Sequence, residues 1–335
     1  MSERVAENLN HALHTVFAAH QDTYLLGEDV HDPYGGAFKI TRGLTDAYPD
    51  RVLTTPISEG ALLGVAGGLA LAGRKAIAEI MFSDFVALGF DQILNFASKS
   101  TTMFGSRVPM RLIVRCPTGG GRGYGPTHSQ SLQKHFIGIP GLSVYELSPF
   151  RDNAELLTEA FDRGEPCMLF EDKVLYTQRM YADGVVDDIF RYETLGGSTA
   201  HVYYADEPQA ADCVLILPGG ITHRALAAAR ELLLEDEIVC RLLVPSRLHP
   251  VDLDPLLPVV RGRQVFVVEE STAGGTWGAE IAHRLHECLW GELAGPVRLV
   301  HSADSVVPTA SHLERQVLVQ AETIRDTVRG SLADD

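Results

Sequence analysis

Apolar residues along the chain follow two alternating periods. Short continuous apolar runs, such as "KAIAEIMF", "CMLFED" and "QVFVVEE", predict buried strands. Between these runs, apolar residues recur every three or four positions and predict helices, as in residues 3–20, "DNAELLTEAFDRG" and "THRALAAARELLLE". Strands that alternate with helices are typical of a mainly parallel sheet covered on both faces. The sequence therefore predicts an α/β fold.

The alternation is interrupted once, by a stretch that contains Gly and Asp but no sustained period, "QRMYADGVVDDIFRYETLGGSTAHVYYAD". After it, strands and helices alternate again. We therefore predict two domains, each a mainly parallel sheet covered by helices. The first covers residues 1–180, a linker covers 181–206, and a smaller second domain covers 207–335.

Composition and charge narrow the class of protein. Hydrophobic residues make up 45% and charged residues 21% of the 335 residues, which is typical of globular chains. The formal net charge of −16 argues against nucleic acid and anionic membrane surfaces as partners. The longest uncharged apolar run, residues 60–73, is shorter than the about 20 residues of a membrane-spanning helix. The first residues are polar, and the 5 cysteines form no CxxC pair, so we expect a cytoplasmic protein without a disulfide framework.

Several common catalytic motifs are missing from the sequence. It contains no GxGxxG, no P-loop, no GxSxG and no HExxH. The 13 histidines do not pair at ligand spacing with a second acid or a cysteine cluster. The sequence therefore predicts neither a standard dinucleotide site nor a metal site built by this chain.

A single acid lies at the start of the most apolar helix, in "TTPISEGALLGVAGGLALAG". A carboxylate at that position, Glu59, complements the helix dipole and by itself stabilises by ~0.3–1 kcal/mol. Alternatively, the acid faces a ligand, and the small residues let two backbones close around it. The glycines at 60, 64, 67 and 68 suit close packing inside the domain and contact between subunits equally well.

A second candidate is the loop "GGGRGYGPTHSQS", residues 119–131, which leaves a predicted strand. Glycine crowding permits positive φ angles and close approach of the backbone to a ligand. Ligands bind at the carboxyl ends of strands in such sheets, and this loop begins at one of them. His128 stands just before a short predicted helix, where it is able to donate or accept a proton. A loop that merely turns sharply is the simpler interpretation, but its composition favours a functional loop.

The ordered segments along the chain resemble a known family. "LLGEDV", "YGGAFKITRGL", "TPISEGALLGVAGGLALAG", "MFSDFVALGFDQILNFASK", "GGGRGYGPTHSQS" and "LFEDKVLY" are similar to the beta subunit of the decarboxylating component of 2-oxoacid dehydrogenase complexes. In the second half, "VCRLLVPSRLHPVD", "VFVVEESTAGGTWGAEI" and "VPTASHLE" resemble that family's C-terminal domain. The resemblance implies a transketolase-like pyrimidine-binding domain, a transketolase C-terminal domain and the use of thiamine diphosphate.

The resemblance also implies roles for individual residues. The acid that matches Glu59 bonds the N1′ nitrogen of the cofactor's aminopyrimidine and favours its imino tautomer, which removes the proton from the thiazolium carbon. Phe85 would stack on the aminopyrimidine, and Glu28 matches an acid near the same ring. His128 would act near the reacting carbonyl or in the transfer of the acyl group.

The same resemblance implies partners. The Mg²⁺ and diphosphate cradle of this superfamily resembles GDG followed by an Asn, and the chain has no GDG. An alpha subunit in an α2β2 heterotetramer would therefore hold the diphosphate and Mg²⁺, and the chain would be inactive alone. A lipoyl acyltransferase or a carrier protein is a possible further partner. Some family members also bind a structural K⁺, but at the matching places this chain has Arg163 and Glu165, and a cation beside a cation site is unfavourable.

Three functions remain open at this stage. The first is decarboxylation of pyruvate, a branched-chain 2-oxoacid or acetoin, with transfer of the acyl unit to a lipoyl carrier. The second is a two-component biosynthetic enzyme that passes a two-carbon or acyl unit to a carrier protein or a sugar. The third is a non-catalytic scaffold subunit, which has no physical need for Glu59, Phe85 and His128.

Overall fold

The computed structural model describes residues 3–333. Its strands are β1 Thr23–Gly27, β2 Val52–Thr54, β3 Lys75–Glu79, β4 Leu112–Thr118, β5 Ser143–Glu146, β6 Cys167–Asp172, β7 Phe190–Leu195, β8 Thr199–Tyr204, β9 Cys213–Ile216, β10 Cys240–Pro245, β11 Arg247–His249, β12 Gln264–Thr272 and β13 Arg298–Ser302. Its α-helices are α1 Val5–Ala19, α2 Leu44–Ala47, α3 Glu59–Leu71, α4 Ser98–Ser100, α5 Asn153–Asp162, α6 Thr222–Asp236, α7 Leu257–Val260, α8 Trp277–Cys288, α9 Ser311–Val317 and α10 Ala321–Ala333.

The chain folds into two compact units. The first extends to Thr118 and also contains His135–Leu147 and Arg151–Met180. The second contains Gly119–Lys134, Ser148–Phe150 and the chain from Tyr181 onward. The glycine-rich loop therefore belongs to the second unit, although its sequence lies within the first half of the chain.

In the first unit, strands β1 to β6 run parallel in the order β5-β6-β4-β3-β1-β2. Strands β4 and β6 are buried at every position. Burial on both faces explains why such strands are nearly continuous apolar runs. Helices α1 and α5 bury their apolar faces against this sheet. Because all these strands are parallel, their carboxyl ends lie at one edge.

In the second unit, the order is β13-β12-β9-β10-β8-β7. Strands β9, β10, β12 and β13 are parallel, whereas β7 and β8 are antiparallel to their neighbours. Helices α6 and α10 contribute to its core. Both units are thus mainly parallel sheets with helices, which confirms the predicted α/β fold.

Residues 181–206, which the sequence predicts as a linker, contain two strands. Strands β7 and β8 pair from Phe190↔Tyr204 to Leu195↔Thr199. The sequence pattern does not predict β7 because it is an edge strand, mostly half-buried or exposed, and lacks an apolar run. The domain boundaries at 180 and 207 stay a prediction.

The spacing of apolar residues in "VALGFDQILNFASKSTTMFG" predicts one helix, but the structure has three short helical segments of different kinds there. A 3-10 helix covers Ser83–Gly89, a π-helical segment covers Gln92–Ala97, and α4 follows. A Cβ at Gly89 would lie 2.2 Å from Leu63 Cδ1, so only glycine lets this segment approach α3 so closely. Close packing against α3 thus prevails over the regular α-helical pattern.

The five cysteines are free thiols with unequal exposure. Four of them are buried, and Cys288, at the end of α8, is exposed. Burial raises the pKa of the Cys116 and Cys167 thiols. The predicted absence of disulfides agrees with this arrangement, since free buried cysteines behave as small hydrophobic residues.

A buried ion cluster joins three neighbouring strands of the first unit. Arg115 on β4 donates two hydrogen bonds to Glu171 on β6, at 2.8 and 2.6 Å, and its third nitrogen donates to Glu79 on β3. Tyr176 donates its hydroxyl hydrogen to Glu171, and the N–H of Ala37 donates to Glu79 at 2.6 Å. Burial disfavours the charged guanidinium, but Glu171 and Glu79 outweigh this effect and raise the pKa of Arg115. Burial also raises the pKa of Glu79, and Arg115 opposes that rise.

We expect Arg115→Met to lower the free energy of unfolding by about 3–5 kcal/mol, because it leaves two buried carboxylates without their cation. Urea denaturation measures this loss. Arg107→Met is the matched control, since Arg107 pairs with Glu165 at 3.0 Å but is 64% exposed. Exposed pairs contribute about 0–1 kcal/mol. Equal effects of the two substitutions would contradict the importance of the buried cluster.

Candidate active site

Glu28 lies at the carboxyl end of β1, directly after Gly27. Gly27 pairs with Thr54 at the end of β2 and with Glu79 at the end of β3, so Glu28 stands at the edge where parallel sheets bind ligands. Its side chain is 6% exposed, and its Oε1 atom has no hydrogen-bond partner within residues 3–333. A buried polar atom without a partner is costly and requires an explanation, such as a ligand.

Burial and two neighbouring acids together raise the pKa of Glu28. Burial raises the pKa of Glu28, and the nearby carboxylates of Glu59 and Asp29 raise it further. The backbone N–H of Ser58 acts in the opposite direction. A nearly buried acid whose pKa is raised by burial and by neighbouring acids, at the end of a strand, is an arrangement that proton-transfer sites use.

Glu59 is the first residue of α3, and it is also 6% exposed. The side chain of the preceding Ser58 does not cap the helix. Glu59 is the acidic residue of the first turn of α3. Phe85 lies in the 3-10 helix that packs against α3, where a Cβ at Gly89 would be 3.5 Å from the Glu59 carbonyl. The Phe85 ring meets Phe82 edge-on, with ring centroids 6.5 Å apart. The structure therefore places Glu28, Glu59 and the Phe85 segment in the same part of the first unit.

A cavity begins at Asp29, the residue after Glu28, on the same edge of the sheet. Its volume is about 710 Å³. It is lined by Asp29, His31, Asp32, Pro33, Tyr34, Gly36, Phe38, Lys39 and Thr54. Phe38 and Lys39 have φ angles of 57° and 63°, a left-handed conformation that side chains other than glycine rarely adopt. Strained backbone of this kind clusters at functional sites.

His128 belongs to the second unit, in the glycine-rich loop. Its N–H donates to the Gly125 carbonyl at 3.3 Å, and its Nδ1 lies 3.0 Å from the Thr127 hydroxyl. The loop amides of Gly121 and Gly123 donate to the side chain of Glu314. The glycines thus let the loop lie close to another segment of the same unit. The close approach of the loop to a ligand stays a prediction.

Comparisons with known proteins agree with this geometry. Residues 4–178 match the family "Transketolase, pyrimidine binding domain", and residues 204–324 match "Transketolase, C-terminal domain". The chain is 31% identical to the pyruvate dehydrogenase E1 component subunit beta-1, mitochondrial, of Oryza sativa subsp. japonica, over 96% of this chain and 84% of that protein. It is also 31% identical to the acetoin:2,6-dichlorophenolindophenol oxidoreductase subunit beta of Cupriavidus necator, over 97% of this chain and 96% of that one.

A solved structure supports the same fold. It is described as a split gene transketolase, inactive beta4 tetramer, with a TM-score of 0.71, 20% identity and coverage of 98% of this chain and 97% of that one. The chain belongs to the transketolase-like family, among the beta subunits of 2-oxoacid dehydrogenases.

Other findings concern metals and membranes. Within residues 3–333, no group of three or more His, Cys, Asp or Glu side chains is arranged to hold a metal ion. None of the helices in this part of the chain has the length and apolar character to cross a bilayer. Arg163, at the place where the resemblance implied a K⁺ site in some family members, pairs with Glu165 at 3.3 Å and donates to the Ser143 hydroxyl.

Sequence reasoning missed two acids, Glu270 and Glu314, which hold the glycine-rich loop. They lie 150 and 193 positions from the glycines that they bind, and no local motif connects them. Only the folded structure brings them together with the loop.

We expect Glu28→Gln to stabilise the folded chain by an amount that grows as the pH rises above 4.5. The unfolded carboxyl ionises near that value, whereas the folded Glu28 has a raised pKa, so ionisation at higher pH costs folding free energy that the amide does not lose. Urea midpoints of wild type and variant at pH 4 and pH 8, on either side of the ordinary value of 4.5, measure the difference. An equal or smaller gain at pH 8 would contradict the raised pKa. Glu155→Gln is the control, because Glu155 is exposed.

Proposed function

We propose that the chain is the beta subunit of a heteromeric thiamine diphosphate enzyme, which decarboxylates a 2-oxoacid and transfers the acyl unit to a lipoyl carrier. The observation that carries the proposal is the pair of nearly buried acids, Glu28 and Glu59, at the carboxyl edge of the pyrimidine-binding unit. Membership in the family of 2-oxoacid dehydrogenase beta subunits supports it.

The residues present fit an aminopyrimidine. Glu28 Oε1 is a buried acceptor without a partner within residues 3–333, and such an atom suits an amino group or a protonated ring nitrogen. Thiamine diphosphate, when bound, supplies a carbon nucleophile and an electron sink. Glu59 would share a proton with the N1′ nitrogen, while Phe85 and Glu28 would hold the ring.

The diphosphate and Mg²⁺ would be held by an alpha subunit. The chain contains no GDG, and the described residues contain no group of acids and histidines arranged for a metal. His128 would act near the reacting carbonyl or in the transfer of the acyl group, which is work for a side chain that both donates and accepts protons.

One face of α3 supports the proposal of an alpha partner in an α2β2 assembly. Val65 is 56% exposed and Ile57, just before the helix, is 82% exposed. A Cβ at Gly64 or Gly68 would meet nothing within 4 Å. Exposed apolar and small residues that form one face of a helix favour close contact with another subunit.

The relatives named for pyruvate and for acetoin make both compounds candidate substrates, with branched-chain 2-oxoacids as a third class. A screen of these compounds with the chain co-purified with its alpha subunit decides among them. A biosynthetic acceptor would be indicated by turnover that does not depend on a lipoyl domain.

We expect Glu59→Gln to lower turnover of the heteromer by at least ~100-fold, because the amide keeps the size of the side chain but cannot share a proton as a carboxylate does. Glu155→Gln is the matched control, since Glu155 is also a first-turn acid, at the start of α5. Calorimetric titration of thiamine diphosphate with Mg²⁺ gives a second measurement, with binding expected only when the alpha subunit is present. Normal turnover in Glu59→Gln, or tight cofactor binding to the chain alone, would contradict the proposal.

We expect Gly64→Leu to keep or raise the stability of the isolated chain by up to about 1 kcal/mol and to weaken its binding to the alpha subunit at least tenfold. Leucine has the higher helix propensity and the side chain enters open space, but it would obstruct a close helix contact. Gly330→Leu is the control, because Gly330 lies in α10 and also has open space. Urea denaturation and analytical ultracentrifugation measure the two effects. Unchanged assembly of Gly64→Leu would place the partner on another surface.

A further inference from the structure

The base of the glycine-rich loop is closed by one carboxylate. Oε1 of Glu270 accepts hydrogen bonds from the Gly120 N–H at 2.7 Å and from the Ser131 hydroxyl at 3.3 Å. These donors lie at the two ends of the loop, so one oxygen holds both. Arg224 pairs with the other oxygen at 2.7 Å and keeps the carboxylate in place. Hydrogen bonds to a charged acceptor are about twice as strong as neutral ones.

The middle of the loop is held by a second carboxylate, that of Glu314 on α9. Its Oε1 accepts from the Gly121 N–H at 2.9 Å, and its Oε2 accepts from the Gly123 N–H at 3.1 Å. Glu314 is 3% exposed. A nearly buried acid that binds two backbone amides of a distant loop fixes the path of that loop.

Close packing adds to these bonds. A Cβ at Gly120 would lie 2.4 Å from Leu318 Cδ1, and one at Gly125 would lie 2.6 Å from Thr309 Oγ1. Gly125 also has a φ of 77°, which favours glycine. The loop therefore lies directly on residues 309–318, and larger residues at Gly120 or Gly125 would force the side chains of Leu318 or Thr309 to move.

We propose that Glu314 is a positioning residue, which fixes the glycine-rich loop and thereby the orientation of His128. The His128 N–H is bonded to Gly125, two residues beyond the glycine amide that Glu314 holds. Loss of the Glu314 carboxylate frees the amides of Gly121 and Gly123, and the backbone that orients the imidazole relaxes. This inference rests on the proposed role of His128 in the reaction.

The test uses Glu314→Ala, His128→Ala and their double variant in the complex with the alpha subunit. Hydrogen exchange of the peptide 119–131 is expected to become at least tenfold faster in Glu314→Ala, with no change in the strands of the second unit. Turnover is expected to fall at least tenfold, while calorimetric affinity for thiamine diphosphate is unchanged. Glu314→Gln is expected to lose less than Glu314→Ala, because one carbonyl oxygen still accepts from Gly121. Glu322→Ala, an exposed acid on α10, is the control.

The double variant shows whether Glu314 acts through His128. If it does, the turnover of Glu314→Ala/His128→Ala equals that of His128→Ala alone, whereas independent effects would multiply. Unchanged exchange in 119–131, multiplying effects, or faster exchange with full turnover would each overturn the inference. Full turnover of His128→Ala would instead remove the proposed role of His128, and the exchange measurement would still decide whether Glu314 holds the loop.

Discussion

The first unit depends on the two ion pairs that the buried guanidinium of Arg115 forms with Glu79 and Glu171. The guanidinium lies between the carboxylates of Glu79 and Glu171, on strands that flank its own, and so fixes the lateral order of the sheet by charge as well as by backbone hydrogen bonds. Glu79 also binds the N–H of Ala37, which ties the segment after β1 to the sheet. A buried ion cluster holds its geometry only when every member has a partner. Here the bond from Ala37 to Glu79 also fixes the residue that follows Gly36 of the cavity lining.

The two units use buried acids for opposite purposes. In the first unit, Glu28 and Glu59 are nearly buried, and one oxygen of Glu28 has no partner among the described residues, so this pair is available to a ligand. In the second unit, Glu270 and Glu314 receive several N–H or O–H donors each, so these acids shape the backbone. In the proposed function the same type of side chain would serve chemistry in one unit, whereas in the other it receives backbone donors and shapes a loop.

Sequence patterns predicted those features that depend on local periodicity. Strand β6 occupies Cys167–Asp172, as the apolar run "CMLFED" predicts, and α3 begins at Glu59. Patterns failed where tertiary contacts decide the conformation. The edge strand β7 has mixed polarity, and the segment that contains Gly89 packs closely on Leu63 of α3 and is not one regular helix. Glu59 is a candidate from its position at the start of the most apolar helix, whereas Glu28 and Phe85 are candidates only through the family resemblance. The anchors of the loop came only from the structure, since their partners are far apart in the sequence.

The uneven exposure of the cysteines has a practical consequence. Because four thiols are buried and only Cys288 reaches the surface, a maleimide dye would attach at a single position at the end of α8, without any engineering of the chain. Exposed thiols react as thiolates, whereas burial suppresses ionisation of Cys116 and Cys167. The natural sequence therefore carries one ready attachment point, from which fluorescence could report the association of subunits in real time.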